Sequence, residues 1–78
     1  MHYVYFLKRK DGKIYKGSTA NLKRRLEEHN RGNVKSTKYY RPLKLIGYES
    51  YLMKSDAERR EKFLKKNRKQ KIIKVAIS

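Results

Sequence analysis

The sequence predicts an α/β fold of the α+β class. Two short runs rich in aromatic and β-branched residues flank an Asp11-Gly12 turn signal, a third such run lies in the middle of the chain, and two amphipathic stretches carry helix-start signals of their own. At 78 residues the chain has room for one domain, residues 1–78, near the size at which a single core holds a fold with little to spare.

The first strand is read over residues 3–8, Tyr-Val-Tyr-Phe-Leu-Lys, and the second begins at Ile14 and Tyr15. Two hairpin registers satisfy the local rules. A two-residue Asp11-Gly12 loop pairs Tyr15 with Lys8 and puts Tyr5 and Tyr15 on opposite faces. A three-residue Lys10-Asp11-Gly12 loop, with Gly12 in the left-handed position, pairs Leu7 with Tyr15 and Tyr5 with Gly17, so both tyrosines share a face.

Asn21 reads as the N-cap of a helix that runs to about Asn30, with Gly32 as its stop. At roughly 100° per residue, with Leu22 at zero, Leu26 falls at about 40°, His29 at about −20° and Arg25 at about −60°. Arg25 and His29 therefore border the apolar stripe, while Lys23, Arg24, Glu27 and Glu28 point elsewhere. Residues 31–41 are polar, contain Gly32 and lead into Pro42, which makes them a loop. Residues 43–51, with Leu45, Ile46, Tyr48 and Tyr51, form the third strand. Ser55-Asp56-Ala57-Glu58 reads as a capping box opening a second helix to about Asn67. Glu61 can pair with Lys65 at i,i+4 on the surface, but on the helix wheel it shares a face with Ala57 and Leu64, which argues for a facing cation instead. The tail over residues 68–77 is basic and then apolar, ranked first as a short final helix and second as a strand.

A formal charge of +16, from 23 Lys and Arg against 7 Asp and Glu, favours a polyanionic partner, because each phosphate contact releases condensed counterions. Nucleic acid leads, and an anionic membrane surface is the competitor. The basic residues are spread along the chain, and no apolar run approaches the roughly 20 residues of a spanning helix. Met1 leads straight into a strand, so no signal peptide is expected. The chain has no cysteine, hence no disulfide framework and no thiolate metal site, which fits a cytoplasmic location.

Taken in order, Tyr3-Val4-Tyr5, Tyr15-Lys16-Gly17, Thr19, Leu22, Arg25, Leu26, His29, Pro42-Leu43 and Ala57 with Glu61 and Lys65 resemble the GIY-YIG nuclease family over nearly the whole chain. The resemblance implies a three-stranded antiparallel sheet flanked by helices, with a metal-dependent DNA-cleaving site on one face. It implies that Tyr15 activates the attacking water and that Arg25 holds the phosphate. Tyr5 and His29 match positions that orient the nucleophile or contact the phosphate, and Glu61 matches the ligand of a single divalent cation, Mg²⁺ or Mn²⁺. Tyr3 stands where the family name has Gly, Lys16 replaces an apolar middle residue, and Asn67 sits where related small proteins carry Trp.

Physical chemistry constrains these roles. In-line hydrolysis needs a deprotonated nucleophile, stabilised nonbridging oxygens and an eased leaving group. Arg25 suits bidentate phosphate contact. A lone glutamate is a thin anchor for Mg²⁺, though that ion keeps waters and accepts phosphate oxygens, so its binding is expected to be weak without DNA. Tyr15 is the harder case, since an ordinary phenol titrates near pH 10, and neighbouring cations are needed to favour the tyrosinate. Tyr39 and Tyr40 are candidates for stacking on bases, and Tyr48 and Tyr51 for core or rim.

DNA contacts are assigned to Lys16, Arg24, Arg60, Lys65, Lys66 and Arg68, with the basic run over residues 59–74 as the phosphate-tracking surface. The expected function is a metal-dependent endonuclease acting on DNA, in repair or recombination, with no membrane and no small-molecule cofactor. The alternative is a nonenzymatic nucleic-acid-binding module on the same fold. Such a module is expected to have lost Tyr15, Arg25 or Glu61, and this chain keeps all three. A shared site further requires the three-residue loop.

Overall fold

A computed structural model describes residues 1–66. It comprises β1 (His2–Lys8), β2 (Ile14–Thr19), α1 (Leu22–Asn30), a 3₁₀ turn (Lys38–Tyr40), β3 (Lys44–Tyr51) and α2 (Lys54–Lys66). The strands form one antiparallel sheet in the order β2-β1-β3.

The hairpin takes the three-residue loop. Arg9 N–H donates to Lys13 C=O at 2.8 Å, Gly12 N–H donates to Arg9 C=O at 2.9 Å, and Gly12 adopts a φ of +88°. That left-handed conformation is where glycine carries no Cβ penalty. Leu7 consequently pairs with Tyr15 and Tyr5 with Gly17.

Because β1 is central, both of its faces are covered, and period-two alternation sorts its residues between two small cores. Val4 packs with Ala57 and Leu64 of α2, flanked by Phe6 and Tyr51. Tyr5 and Leu7 pack with Leu43, flanked by Tyr15, Leu45 and the α1 residues Leu22 and Leu26. The two helices thus lie on opposite faces.

The third strand contains a feature its sequence hides. Leu45 pairs with Leu7 and Gly47 with Phe6, so Ile46 is an extra residue in a bulge, 53% exposed. The bulge brings Leu45 and Tyr48 to one face although they are three residues apart. Tyr48 is not core: it is 56% exposed and meets Tyr3 edge to face at 5.8 Å.

Asn21 caps α1 as expected, its side chain accepting from Arg24 N–H at 3.0 Å, and Gly32 ends it with a φ of +82°. The start of α2 differs from expectation. The helix begins at Lys54, with Ala57 N–H donating to Met53 C=O, so Ser55 lies inside the first turn rather than at the cap. The tail over residues 68–77, including Arg68, lies outside the described residues, as does Asn67.

Candidate functional site

On the Tyr5 face, β1 and β2 deliver two tyrosines side by side and α1 lays Arg25 and His29 against them. The ring of Tyr5 crosses β2 at its partner Gly17, where an added Cβ would stand 2.6 Å from Tyr5 Cζ. The glycine of Tyr15-Lys16-Gly17 is therefore a close-approach residue: only the absence of a side chain lets the Tyr5 ring lie there.

Tyr5 Oη and His29 Nε2 are 2.8 Å apart, Arg25 Nε donates to Tyr5 Oη at 3.4 Å, and Arg25 Nη1 donates to Glu28 Oε1 at 3.2 Å. The other nitrogen of His29, Nδ1, lies 2.7 Å from Thr37 Oγ1. Tyr15 closes the cluster, its ring 5.2 Å from the His29 ring and 6.4 Å from that of Tyr5. All four residues that the sequence assigned to catalysis are thus brought together.

They are not equivalent. Tyr5 is 2% exposed and His29 is 0% exposed, so both lie beneath the surface of the site. Tyr15 is half-buried, its hydroxyl at the limiting distance of 3.5 Å from Ser36 Oγ, and the Arg25 side chain is 37% exposed. The outer pair can meet a ligand while the inner pair supports it.

Electrostatics agree with this division. Burial pushes the Tyr5 phenol above its ordinary range, against the opposing hydrogen bond from Arg25, so Tyr5 stays protonated. Burial, aided by the Arg25 charge and opposed by Glu28, lowers the His29 pKa to about 4, so its imidazole is neutral near pH 7. Hydrogen bonding to Tyr5, against the cost of burial, holds Arg25 firmly protonated.

Glu61 arrives from α2, on the other face of the sheet. There Ser18, which alternation puts on the same side as Lys16 and Val4, donates from Oγ to Glu61 Oε1 at 2.6 Å, and Lys65 Nζ donates to Oε2 at 2.8 Å. The cation that meets Glu61 is not a group facing it from another element but Lys65, four residues on along the same helix, whose ammonium also lies 5.5 Å from the centre of the Tyr15 ring. Burial alone would raise the Glu61 carboxyl, but the Lys65 and Ser18 hydrogen bonds and the Lys65 charge outweigh it and hold the pKa below the usual carboxylate range. Among the described residues no three His, Cys, Asp or Glu side chains converge on one point. Glu61 is nevertheless an ionised hard oxygen donor, 21% exposed, and suits an ion that draws its remaining ligands from water and phosphate.

The proposed DNA-contacting residues divide. Lys65 stands beside the cluster, and Lys66 is exposed at the end of α2. Arg24 is 74% exposed, with a loose 3.9 Å pair to Glu28. Lys16 alternates with Tyr15 and Gly17 and so faces the opposite side of the sheet, beside Phe6, Ile14 and Ile46. Arg60 grips Glu49 with a two-pronged pair at 3.0 and 3.1 Å, and Glu49 also accepts from Tyr51 Oη at 2.7 Å. That fork commits Arg60 to the sheet rather than to a phosphate near Tyr15. Of the stacking candidates, Tyr39 is 82% exposed, and Tyr40 lies under the Arg9 guanidinium at 3.5 Å.

Sequence reasoning missed Thr37, Ser18 and Ser36. Thr37 is 0% exposed inside a stretch that reads as a polar loop, so composition gave no signal for it. Ser18 follows directly on the second motif, and its adjacency to Gly17 was the available signal. No described helix is long and apolar enough to cross a membrane.

Residues 1–74 match the model of the GIY-YIG catalytic domain. A UPF0213 protein of Clostridium perfringens is 43% identical over 74 residues, covering 92% of this chain and 80% of that protein. A UPF0213 protein of Staphylococcus aureus is 42% identical over 71 residues, with 90% and 87% covered. The solution NMR structure of a UPF0213 protein from Bacillus halodurans is 34% identical, covers 95% of this chain and 83% of that one, and superposes with a TM-score of 0.56. It shares the α+β architecture of a three-stranded antiparallel sheet with helices. Nucleases of this type generally use divalent metals and act on DNA. With the motif residues clustered and the domain match spanning nearly all of it, the chain belongs to the GIY-YIG nuclease family.

Proposed function

We propose that this protein is a metal-dependent endonuclease that hydrolyses DNA phosphodiester bonds, acting in the cytoplasm in repair or recombination. The observation that carries the reading is the convergence of Tyr5, Tyr15, Arg25 and His29 on one face, the two accessible members being those suited to chemistry.

Arg25 binds the nonbridging phosphate oxygens, where its charge and planar fork match the geometry. Tyr15 takes the proton of the attacking water as the water oxygen bonds to phosphorus and the bond to the leaving oxygen breaks. Lys65 places a cation over the Tyr15 ring, 5.5 Å from its centre. Tyr5 fixes Arg25 through Nε, and His29 fixes Tyr5. Glu61 is the residue that would hold Mg²⁺ or Mn²⁺, and such an ion when bound would supply positive charge to stabilise the charge that develops in phosphodiester hydrolysis. The rest of the +16 charge attracts the DNA backbone.

The nonenzymatic reading draws on one observation, that both Glu61 oxygens already have donors in Ser18 and Lys65. Plasmid nicking with Mg²⁺ or Mn²⁺, beside Glu61→Gln and Arg25→Ala, separates the two. Wild type is expected to cut and both variants to fail while still binding DNA. An absence of metal-dependent cleavage on duplex, nicked and branched DNA would favour the binding module.

A further inference from the structure

Buried threonine hydroxyls need partners, and that of Thr37 makes an unexpected choice. Thr37 occupies the N-cap position of the 3₁₀ turn Lys38–Tyr40, where a threonine ordinarily bonds to the helix backbone, yet its side chain makes no capping bond. It turns inward instead and lies 2.7 Å from His29 Nδ1, with Val34 C=O as its own acceptor at 3.5 Å. The fold gives up a cap to place a hydroxyl on the histidine.

A neutral imidazole carries one N–H, so its position sets the direction of every bond in the row. Arg25 has only donors, so the contact at Tyr5 must use the phenolic oxygen as acceptor. If Nδ1 bears the hydrogen, Nδ1–H donates to Thr37, Thr37 donates to Val34 C=O, and Tyr5 O–H donates to bare Nε2. Each hydrogen then has an acceptor. If Nε2 bears the hydrogen, Thr37 donates to Nδ1 and Nε2–H donates to Tyr5, and the Tyr5 hydroxyl hydrogen has no acceptor among the described residues. It would turn toward the Arg25 guanidinium, positive end to cation.

We propose that Thr37 is a positioning residue for phosphodiester cleavage: its hydroxyl holds His29 as the Nδ1–H tautomer, keeping the Tyr5 proton on Nε2 and the Tyr5 oxygen turned to Arg25. The cleavage part rests on the proposed endonuclease reading, whereas the tautomer part does not.

The experiment joins a spectroscopic signature to a rate. Long-range proton–nitrogen correlation spectra of ¹⁵N-labelled protein near pH 7 should show His29 with a protonated Nδ1 and a bare Nε2. Thr37→Val, which keeps the shape and removes the hydroxyl, should lose that pattern. Its single-turnover cleavage should fall about 10-fold to 100-fold, the scale of losing the partner that orients a functional histidine, with DNA affinity unchanged. Thr37→Ser should restore both readouts. A protonated Nε2 in wild type overturns the proposal, as does a folded Thr37→Val that keeps both the Nδ1–H pattern and the wild-type rate. Should Thr37→Val not fold, the wild-type spectrum and Thr37→Ser still decide. An Nδ1–H tautomer in a chain that cuts no DNA would sink the endonuclease reading, and the cleavage role of Thr37 with it, while leaving the tautomer assignment standing.

Discussion

Gly17→Ala is the smallest change that tests how the two motifs fit together. The new Cβ would lie 2.6 Å from Tyr5 Cζ and 3.1 Å from Cε2. Such contacts are relieved only if the ring moves or β2 shifts. The ring is not free to swing, since it is 2% exposed and its hydroxyl is held by His29 at 2.8 Å and by Arg25 at 3.4 Å. Overpacking of this kind costs about 1–3 kcal/mol, and breaking the Tyr5–His29 bond adds roughly 1 kcal/mol. A destabilisation of about 2–4 kcal/mol is therefore expected, with cleavage lost because Arg25 loses its anchor. Urea denaturation of a double-mutant cycle with Tyr5→Leu isolates the cause. In the Tyr5→Leu background the alanine should cost less than about 1 kcal/mol, near the ordinary exchange of glycine in a strand. An equal cost in both backgrounds would refute the claim that the glycine exists to admit the Tyr5 ring.

Stability should depend on pH through His29. Its folded pKa of about 4 lies below the ordinary histidine value of 6.5, so the unfolded chain binds the proton more readily. The stability contributed is fully present above about pH 6.5 and is lost as pH falls toward 4, amounting to about 3 kcal/mol. Chemical denaturation at several pH values should show that decline, and a flat profile over this window would contradict the burial of His29. Asn21→Ala should destabilise by about 1 kcal/mol through loss of the α1 cap, read by thermal melting. Arg60→Ala should cost under about 1 kcal/mol, as expected for a half-exposed ion pair with Glu49, and should leave cleavage unchanged; a sharp fall in cleavage would return Arg60 to the DNA-contacting set.

Where local chemistry decides, the sequence could be read. Gly12 after Asp11 offered the left-handed turn position, Asn21 offered a cap, and the α1 wheel set Arg25 and His29 beside the Leu22 and Leu26 stripe, although His29, placed at its border, is the fully buried residue of that helix. Where a residue answers to a distant partner, it could not. Ile46 looks as apolar as its neighbours, and only the pairing of Leu45 and Gly47 with β1 reveals the bulge. Thr37 sits in a polar stretch, and its burial depends on a histidine eight residues away. The Glu61 wheel argued for a facing cation over the i,i+4 pair, yet Lys65 on the same helix is the cation that meets it, and Ser18 of β2, which the wheel does not show, is its second partner. The Ser55 capping box failed because α2 starts at Lys54, two residues earlier than a cap at Ser55 requires.

The central claim is that the Tyr15 hydroxyl performs proton transfer at a phosphate held by Arg25. Tyr15→Phe removes one oxygen from a half-buried ring whose packing against His29 remains, so fold and DNA affinity should be untouched. Metal-dependent single-turnover cleavage by wild type and Tyr15→Phe, with DNA affinity measured alongside, is the direct test. Wild type should cut and the variant should bind equally well without cutting; a Phe variant that cuts at the wild-type rate would contradict the account.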